Sequence, residues 1–312
     1  MKFRLNKWLI LGLASELLVA PNSAIMKHTL STMNVPYFTF LRYLIVLIMC
    51  SPLLIKLIKK GQLKGQAAKY LWGSSVALSF AILTFTYALT MTEASYATIL
   101  GLAGPIVFIP LSVRMEKEKI SRRSVAGLSL AAAGAFTVVA LPIALAQNAT
   151  LEIRPFASLL LILNLVSWSL FIIFYRKANE QGVPMNGIMG INAVFNVVVF
   201  GFIFVTTSYY SNGNVDLSVN RSQIIAVVFS AVMVTFFSRK WKVTVYEKIG
   251  SVGSSGLDYL GSLLSIIVSI LFLDEKLSVG IVIGGVLIIL GLYISEHHKL
   301  SNSDHVGILK HH

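Results

Sequence analysis

Charge is the scarcest feature of this sequence. Acidic residues number 13 in a chain of 312, and all charged residues together make up 12%, about half of the roughly 25% that an ordinary soluble domain carries. With 56% hydrophobic residues and a mean hydropathy of +0.78, there is too little polar surface to cover a fold in water. That excludes a soluble globular protein. Cysteine is nearly absent too. Cys50 stands alone, so neither an intramolecular disulfide nor a cysteine-based metal cluster can form. The six histidines, His28, His297, His298, His305, His311 and His312, lie away from the centres of the apolar runs, and no H-E-x-x-H pattern occurs. The glycine-rich stretch Gly250 to Gly256 lacks the G-x-G-x-x-G spacing and a preceding strand, so it does not read as a phosphate cradle. The sequence therefore calls for no cofactor and no metal.

Long apolar runs are abundant. A helix needs about 20 mostly apolar residues to cross a hydrocarbon core, and ten such windows stand between charged or turn-forming stretches: 8–30, 37–57, 71–91, 95–115, 124–146, 156–175, 187–207, 224–241, 249–273 and 279–295. They are too long, and too apolar on every face, for barrel strands of about 9 to 11 residues with alternating polarity. The expected class is an all-α membrane protein with ten transmembrane helices. The net charge of +13 would suggest nucleic acid in a soluble chain, but here Lys and Arg fall in short runs between apolar windows. With the N-terminus on the cytoplasmic side, 21 of them collect on that side and only Lys27, Arg154, Arg221 and Lys276 on the other, with Arg42 inside a helix. The positive-inside rule then puts both termini in the cytoplasm, and these basic residues read as topology signals. A multi-pass protein of a bacterial inner membrane is expected, with lipid around it and no nucleic-acid partner. The glycosylation patterns at Asn148 and Asn220 lie in short outer loops and carry little weight.

The chain repeats itself. Laying 101–138 over 258–295, a shift of 157 without a gap, matches Gly104 with Gly261, Glu118 with Glu275, Lys119 with Lys276, Ser121 with Ser278, Gly127 with Gly284 and Gly134 with Gly291. Val35-Pro36 meets Val183-Pro184 at a shift of 148. Each half, 8–146 and 155–296, holds five crossings. An odd number inserts the halves upside down relative to one another, and residues 297–312 remain as a polar cytoplasmic tail. Two inverted five-helix repeats around a midplane site are common in secondary transporters.

The paired turn and helix, Glu118-Lys119-Ile120-Ser121 to Gly127 and Gly134, then Glu275-Lys276-Leu277-Ser278 to Gly284 and Gly291, resembles the end of each EamA repeat in the drug/metabolite transporter superfamily. The likeness runs from about Trp8 to Ser295. It implies a ten-helix secondary transporter, commonly an exporter of amino acids or related metabolites, with the fifth and tenth helices at the periphery. The Trp-Gly pair frequent in the first helix of such repeats is missing here: Glu16 stands in that region, and Trp168-Ser169 in the second half.

A charge at the bilayer centre costs about 2.5 to 3.5 kcal/mol on insertion scales, so Asp258, Glu16 and Arg42 are the leading candidates for contact with substrate. The acids suit an amino group or a proton, and Arg42 a carboxylate, although an ion pair fixing helix packing would use the same residues. Tyr259 follows Asp258 in a stretch of small residues. Pro21 interrupts the first helix next to Asn22, and a proline frees a backbone carbonyl there. Trp168, Asn164, Asn192, Asn196, Tyr87 and Tyr96 complete the candidates, with interhelical hydrogen bonding explaining any one of them as well. Helices five and ten carry no charge in their apolar spans but small residues along one face, including the Gly280-x-x-x-Gly284 pair. That pattern suits scaffold or homodimer contacts. The expected partners are a small metabolite and protons. The alternatives are a membrane enzyme, which needs convergent acids, a Ser-His set or metal ligands, and a structural or receptor protein with a dry interior.

Overall fold

The computed structural model describes residues 7–59, 65–116, 122–145, 155–210, 218–275 and 279–307. Within them, among others, the side chains of 246–256 and 258–260 are outside the described set. The described regular structure is helical throughout. Its elements are α1 Lys7–Val19, α2 Asn22–Leu30, α3 Val35–Lys59, α4 Gln66–Met91, α5 Ala94–Gly101, α6 Gly104–Glu116, α7 Arg122–Leu145, α8 Pro155–Glu180, α9 Met185–Tyr210 and α10 Arg221–Val228. A π-helical segment over Phe229–Ser238 follows, then α11 Arg239–Leu273 and α12 Val279–Gly307. Among the described residues, six stretches are long and apolar enough to cross a membrane: Lys7–Leu30, Val35–Lys59, Gln66–Met91, Pro155–Glu180, Met185–Tyr210 and Arg221–Lys242. Shorter apolar helices over Ala94–Phe108, Val125–Val138, Gly261–Leu273 and Val279–Gly291 complete the bundle.

Two breaks have local causes. The first span stops at Val19 and restarts at Asn22 because Pro21 cannot donate into the helical ladder. The fourth divides between Gly101 and Gly104, where paired glycines lower the cost of interrupting the helix. Elsewhere the elements run further than expected. The helical pattern continues from Arg221 to Leu273, where two spans at 224–241 and 249–273 were anticipated. A straight helix would hold residues 242 and 261 about 28 Å apart, yet Lys242 pairs with Glu16 and Gly261 also lies against Glu16. Val245 and Leu257 likewise both flank Gly12. The axis therefore folds back between Val245 and Leu257, within a stretch holding Gly250, Gly253 and Gly256, and its two arms clasp α1. At the C-terminus, helix α12 extends through the polar residues to Gly307, because neither proline nor glycine interrupts the chain between Gly291 and Gly307.

The contacts give the relative direction of the helices. Helices α3 and α9 are antiparallel: Tyr37 stacks on Phe204 with ring centroids 4.8 Å apart, while Cys50 and Leu54 face Gly190, and Leu57 faces Gly187. Helices α7 and α12 are antiparallel as well, with Gly134 against Gly284 and Ile288, and Gly291 against Gly127 and Ala131. In each pair, one helix is the repeat counterpart of the other. Two repeat mates in direct contact and opposite in direction are what an upside-down duplication produces. The remaining pairings obey the same exchange. Helix α4 lies on α8, where Asn164 Nδ2 donates to the Ala81 carbonyl at 2.8 Å. Helices α1 and α2 lie on the π segment through Ser15–Ser238 and Asn22–Ser230.

Lipid is as apolar as leucine, so these contacts rest on close packing and interhelical hydrogen bonds rather than on escape from water. The small faces of α7 and α12 meet within one chain, allowing backbone to approach backbone. Large side chains at the opposite surfaces, Phe136, Phe202 and Leu271 among them, are 70–73% exposed and form the face expected toward acyl chains.

Candidate functional site

The π segment widens the helix facing α2 and α3, and such widening recurs at functional sites. Its extra residue per turn is visible in Thr235, whose hydroxyl donates to the carbonyl of Ser230, five residues back, at 2.8 Å. The segment turns Ser230, Thr235 and Ser238 inward, all 1% exposed or less. The break at Pro21 brings Asn22 opposite them. Ser230 Oγ donates to Asn22 Oδ1 at 2.9 Å, and Asn22 Nδ2 contacts Met26 Sδ at 3.2 Å. Arg42 arrives from α3: its Nε donates to Thr235 Oγ1 at 2.7 Å, and one terminal nitrogen lies 3.6 Å from the same Met26 sulfur. Asn22, Met26, Arg42, Ser230 and Thr235 thus form one polar network inside the bundle. Arg42 is only 8% exposed and is directed at Thr235 rather than outward to headgroups.

A second network lies toward the end of the bundle that carries Lys7. Glu16, 4% exposed, pairs through Oε1 with Lys242 Nζ at 2.9 Å. Ser15 Oγ donates to the Ser238 carbonyl at 3.1 Å and also lies 3.0 Å from the Ser238 hydroxyl. The Glu16 site is narrow, since a methyl group at Gly261 would collide with the Glu16 carboxylate. Arg239 rests on the faces of Trp168 and Phe171, 5.7 Å from each ring, and lies within electrostatic reach of Arg42. Two basic residues read from the sequence as topology signals alone therefore work inside the bundle. The eighth apolar window ends beside these two residues, whereas the helix continues past Trp241, and their side chains turn to Glu16 and Trp168.

The other candidates are distributed unevenly. Asp258 and Tyr259 belong to α11, but their side chains lie outside the described residues, as does the whole turn Glu118 to Ser121. Asn192 accepts from Ser75 Oγ at 2.7 Å and Ser74 Oγ at 3.1 Å, and Asn196 accepts from Ser79 at 3.0 Å. These bonds join α9 to α4, away from Arg42. Tyr96 is hydrogen-bonded to Ser158 at 2.8 Å, Tyr87 packs half-buried against the apolar core, and Trp168 covers Arg239. The structure thus brings together Asn22 and Arg42, with Trp168 reached through Arg239. An apolar groove of about 450 Å³ between α1 and the π segment, lined by Leu17, Leu18, Met233, Phe237 and Trp241, faces away from both networks.

The end opposite Lys7 has its own charged cluster. Glu275 reaches from the second repeat to the first, accepting from Ala94 N at 2.6 Å and Ser95 N at 2.8 Å, the free amides that begin α5. Lys27 Nζ donates to the carbonyls of Leu89 at 2.8 Å and Thr92 at 2.7 Å, at the end of α4. Glu93 lies between them. Rather than standing in open water, its carboxyl is half-buried, and desolvation followed by the neighbouring Glu275 pushes its pKa above the ordinary value, Lys27 offsetting only part.

The chain matches the model of the EamA-like transporter family twice, over residues 6–140 and 155–296. No curated protein matches it. Among solved structures, one crystal structure superposes with a TM-score of 0.59 at 17% identity, covering 93% of this chain and 96% of its own. That likeness concerns the fold alone. The two family matches together span most of the sequence, and the repeat mates α3/α9 and α7/α12 contact one another in opposite directions: the chain belongs to the EamA-like transporter family.

Proposed function

We propose that this protein is a secondary active transporter of a small polar metabolite, working by alternating exposure of a site between its two repeats. The observation that carries the reading is the buried network joining Asn22 and Arg42 to the π segment, at a seam between the two inverted units. An inverted pair has two equivalent ways of packing its halves, each open to a different side. A polar site on that seam faces one side and then the other. Ten crossings, both termini in the cytoplasm of a bacterial cell and export as the direction belong to the same reading. They rest on the one-sided distribution of Lys and Arg and on the family.

The central site of this reading comprises Arg42, Asn22, Glu16 and Trp168, together with Asp258 and Tyr259 as read from the sequence. Tyr87 and Tyr96 stand at the approach, and Asn192 is an interhelical tie. Glu16, held by Lys242, is the group through which a proton couples to transport. A homodimer through α7 and α12 is part of the reading, using their lipid-facing sides, since their glycine faces are occupied by each other. The test is counterflow in proteoliposomes preloaded with single amino acids, organic acids or phosphate esters, with and without a pH gradient. Accumulation of the matching labelled solute above empty vesicles, weakened in Glu16→Gln, supports the proposal. A flat response across the panel overturns it.

A further inference from the structure

Most buried cations in proteins meet an anion, because an unpaired charge held away from water is strongly destabilising. Arg42 does not. Its contacts are the Thr235 hydroxyl, the Met26 sulfur and the ring of Tyr43, whose centroid is 5.9 Å away, and among the described residues no carboxylate reaches it. A guanidinium carries five N–H donors in a rigid fork, so most of its donors find no acceptor among the described residues. Tyr43 itself is 1% exposed, and its buried hydroxyl meets no hydrogen-bond partner among the described residues. Arg239, which lies within electrostatic reach of Arg42, likewise meets no carboxylate among the described residues. Its flat face is taken by Trp168 and Phe171, and a guanidinium stacked in this way leaves its in-plane donors directed past the rings. Glu16, the buried acid among the described residues, is already engaged with Lys242.

We infer that Arg42 and Arg239 form an oxyanion-binding site, and that the cargo of this transporter carries a carboxylate or phosphate group held by Arg42 with the Tyr43 hydroxyl beside it. This deepens the transport reading and rests on it for the word cargo. The binding itself can be tested separately. A merely structural Arg42 is a weaker account, because a tie to one hydroxyl needs one donor and tolerates glutamine, whereas a planar fork with free donors and no acid is suited to a bidentate oxyanion. An excess of fixed positive charge around an otherwise apolar interior further selects anions over cations.

The experiment is thermal unfolding of the purified full-length protein in lipid nanodiscs, followed by tryptophan fluorescence at constant ionic strength. The probes are glutamate, succinate, inorganic phosphate and glucose 6-phosphate, with succinamide as neutral and putrescine as cationic control. At least one oxyanion is expected to raise the midpoint saturably, and the controls are not. Arg42→Gln is expected to weaken that binding by about tenfold or more, the scale of a lost charge-assisted bidentate contact. Arg42→Lys should restore part of it, and Lys56→Gln, at an exposed position, should leave it intact. If Arg42→Gln does not fold, Arg239→Gln supplies the same reading. Equal stabilisation by the controls, unchanged oxyanion binding in both arginine variants, or no shift with any oxyanion overturns the inference. Arg42-dependent binding without counterflow would uphold the site and refute transport, and counterflow of an uncharged or cationic solute would do the reverse.

Discussion

Replacing Gly134 by alanine tests the antiparallel seam between the repeats. The added methyl carbon would lie 2.7 Å from the Gly284 carbonyl oxygen and 2.7 Å from the Ile288 backbone nitrogen. Comfortable non-bonded separations are about 3.5 to 4.0 Å, so α12 must retreat by roughly 1 Å, and backbone on both sides leaves no flexible side chain to yield. Overpacking of this kind costs about 1–3 kcal/mol, against a gain of up to about 1 kcal/mol from the better helix propensity of alanine. The net expectation is a loss of about 1–2 kcal/mol. Gly284→Ala meets the same contact from the other side, 2.6 Å from the Gly134 carbonyl, so the double variant should cost less than the sum of the singles. Gly104→Ala is the control: nothing lies within 4 Å of its added methyl group, and it should be neutral or slightly stabilising. Reversible unfolding of the four proteins in nanodiscs measures these differences. Equal stability of Gly134→Ala and Gly104→Ala, or simple additivity of Gly134→Ala and Gly284→Ala, would refute the close contact of α7 with α12.

Other predictions concern polar ties. Glu275→Gln removes the charge that caps α5 from the other repeat and should lower stability by about 0.5–2 kcal/mol, the range for lost helix caps, seen as a lower unfolding midpoint at pH 7. Because the pKa of Glu93 is raised above its ordinary value of 4.5, the folded protein binds this proton more tightly than the unfolded chain. Its contribution is complete below the ordinary value and is lost as pH rises through the raised one. Glu93→Gln should therefore flatten the fall in stability above pH 4.5, and a midpoint-against-pH curve identical to that of the unaltered protein would count against the buried setting. Asn192→Ala removes the acceptor shared by Ser74 and Ser75 and should cost about 0.6–1.7 kcal/mol, as interhelical hydrogen bonds in membranes do, without changing the solutes carried.

What could be read in advance was whatever depends on short spacing. Pro21 marked the break between α1 and α2 because a missing N–H acts locally. The glycines at 127, 134, 284 and 291 marked the α7 and α12 faces because a helix brings every third or fourth residue onto one side. Contacts between distant segments were not legible. Nothing local tells Lys242 that it will meet Glu16, more than 200 residues away, or Arg42 that it will meet Thr235. The π segment was hidden for another reason, since an apolar run such as Phe229–Ser238 reads the same whether its turns are α or π. Asn192 and Asn196 carried the opposite ambiguity: a buried amide reads equally as a ligand or a tie, and the α4 serines that bond their oxygens could not be seen from either helix alone.

The claim on which the account turns is that one buried position meets both sides of the membrane in turn. Ser230, 0% exposed and bonded to Asn22, is suited to testing it as Ser230→Cys in a Cys50→Ala background, sealed in vesicles and treated with a membrane-impermeant maleimide from either side. Slow labelling from both sides, suppressed by transported solute, is the predicted result, and labelling from one side only or from neither would contradict it.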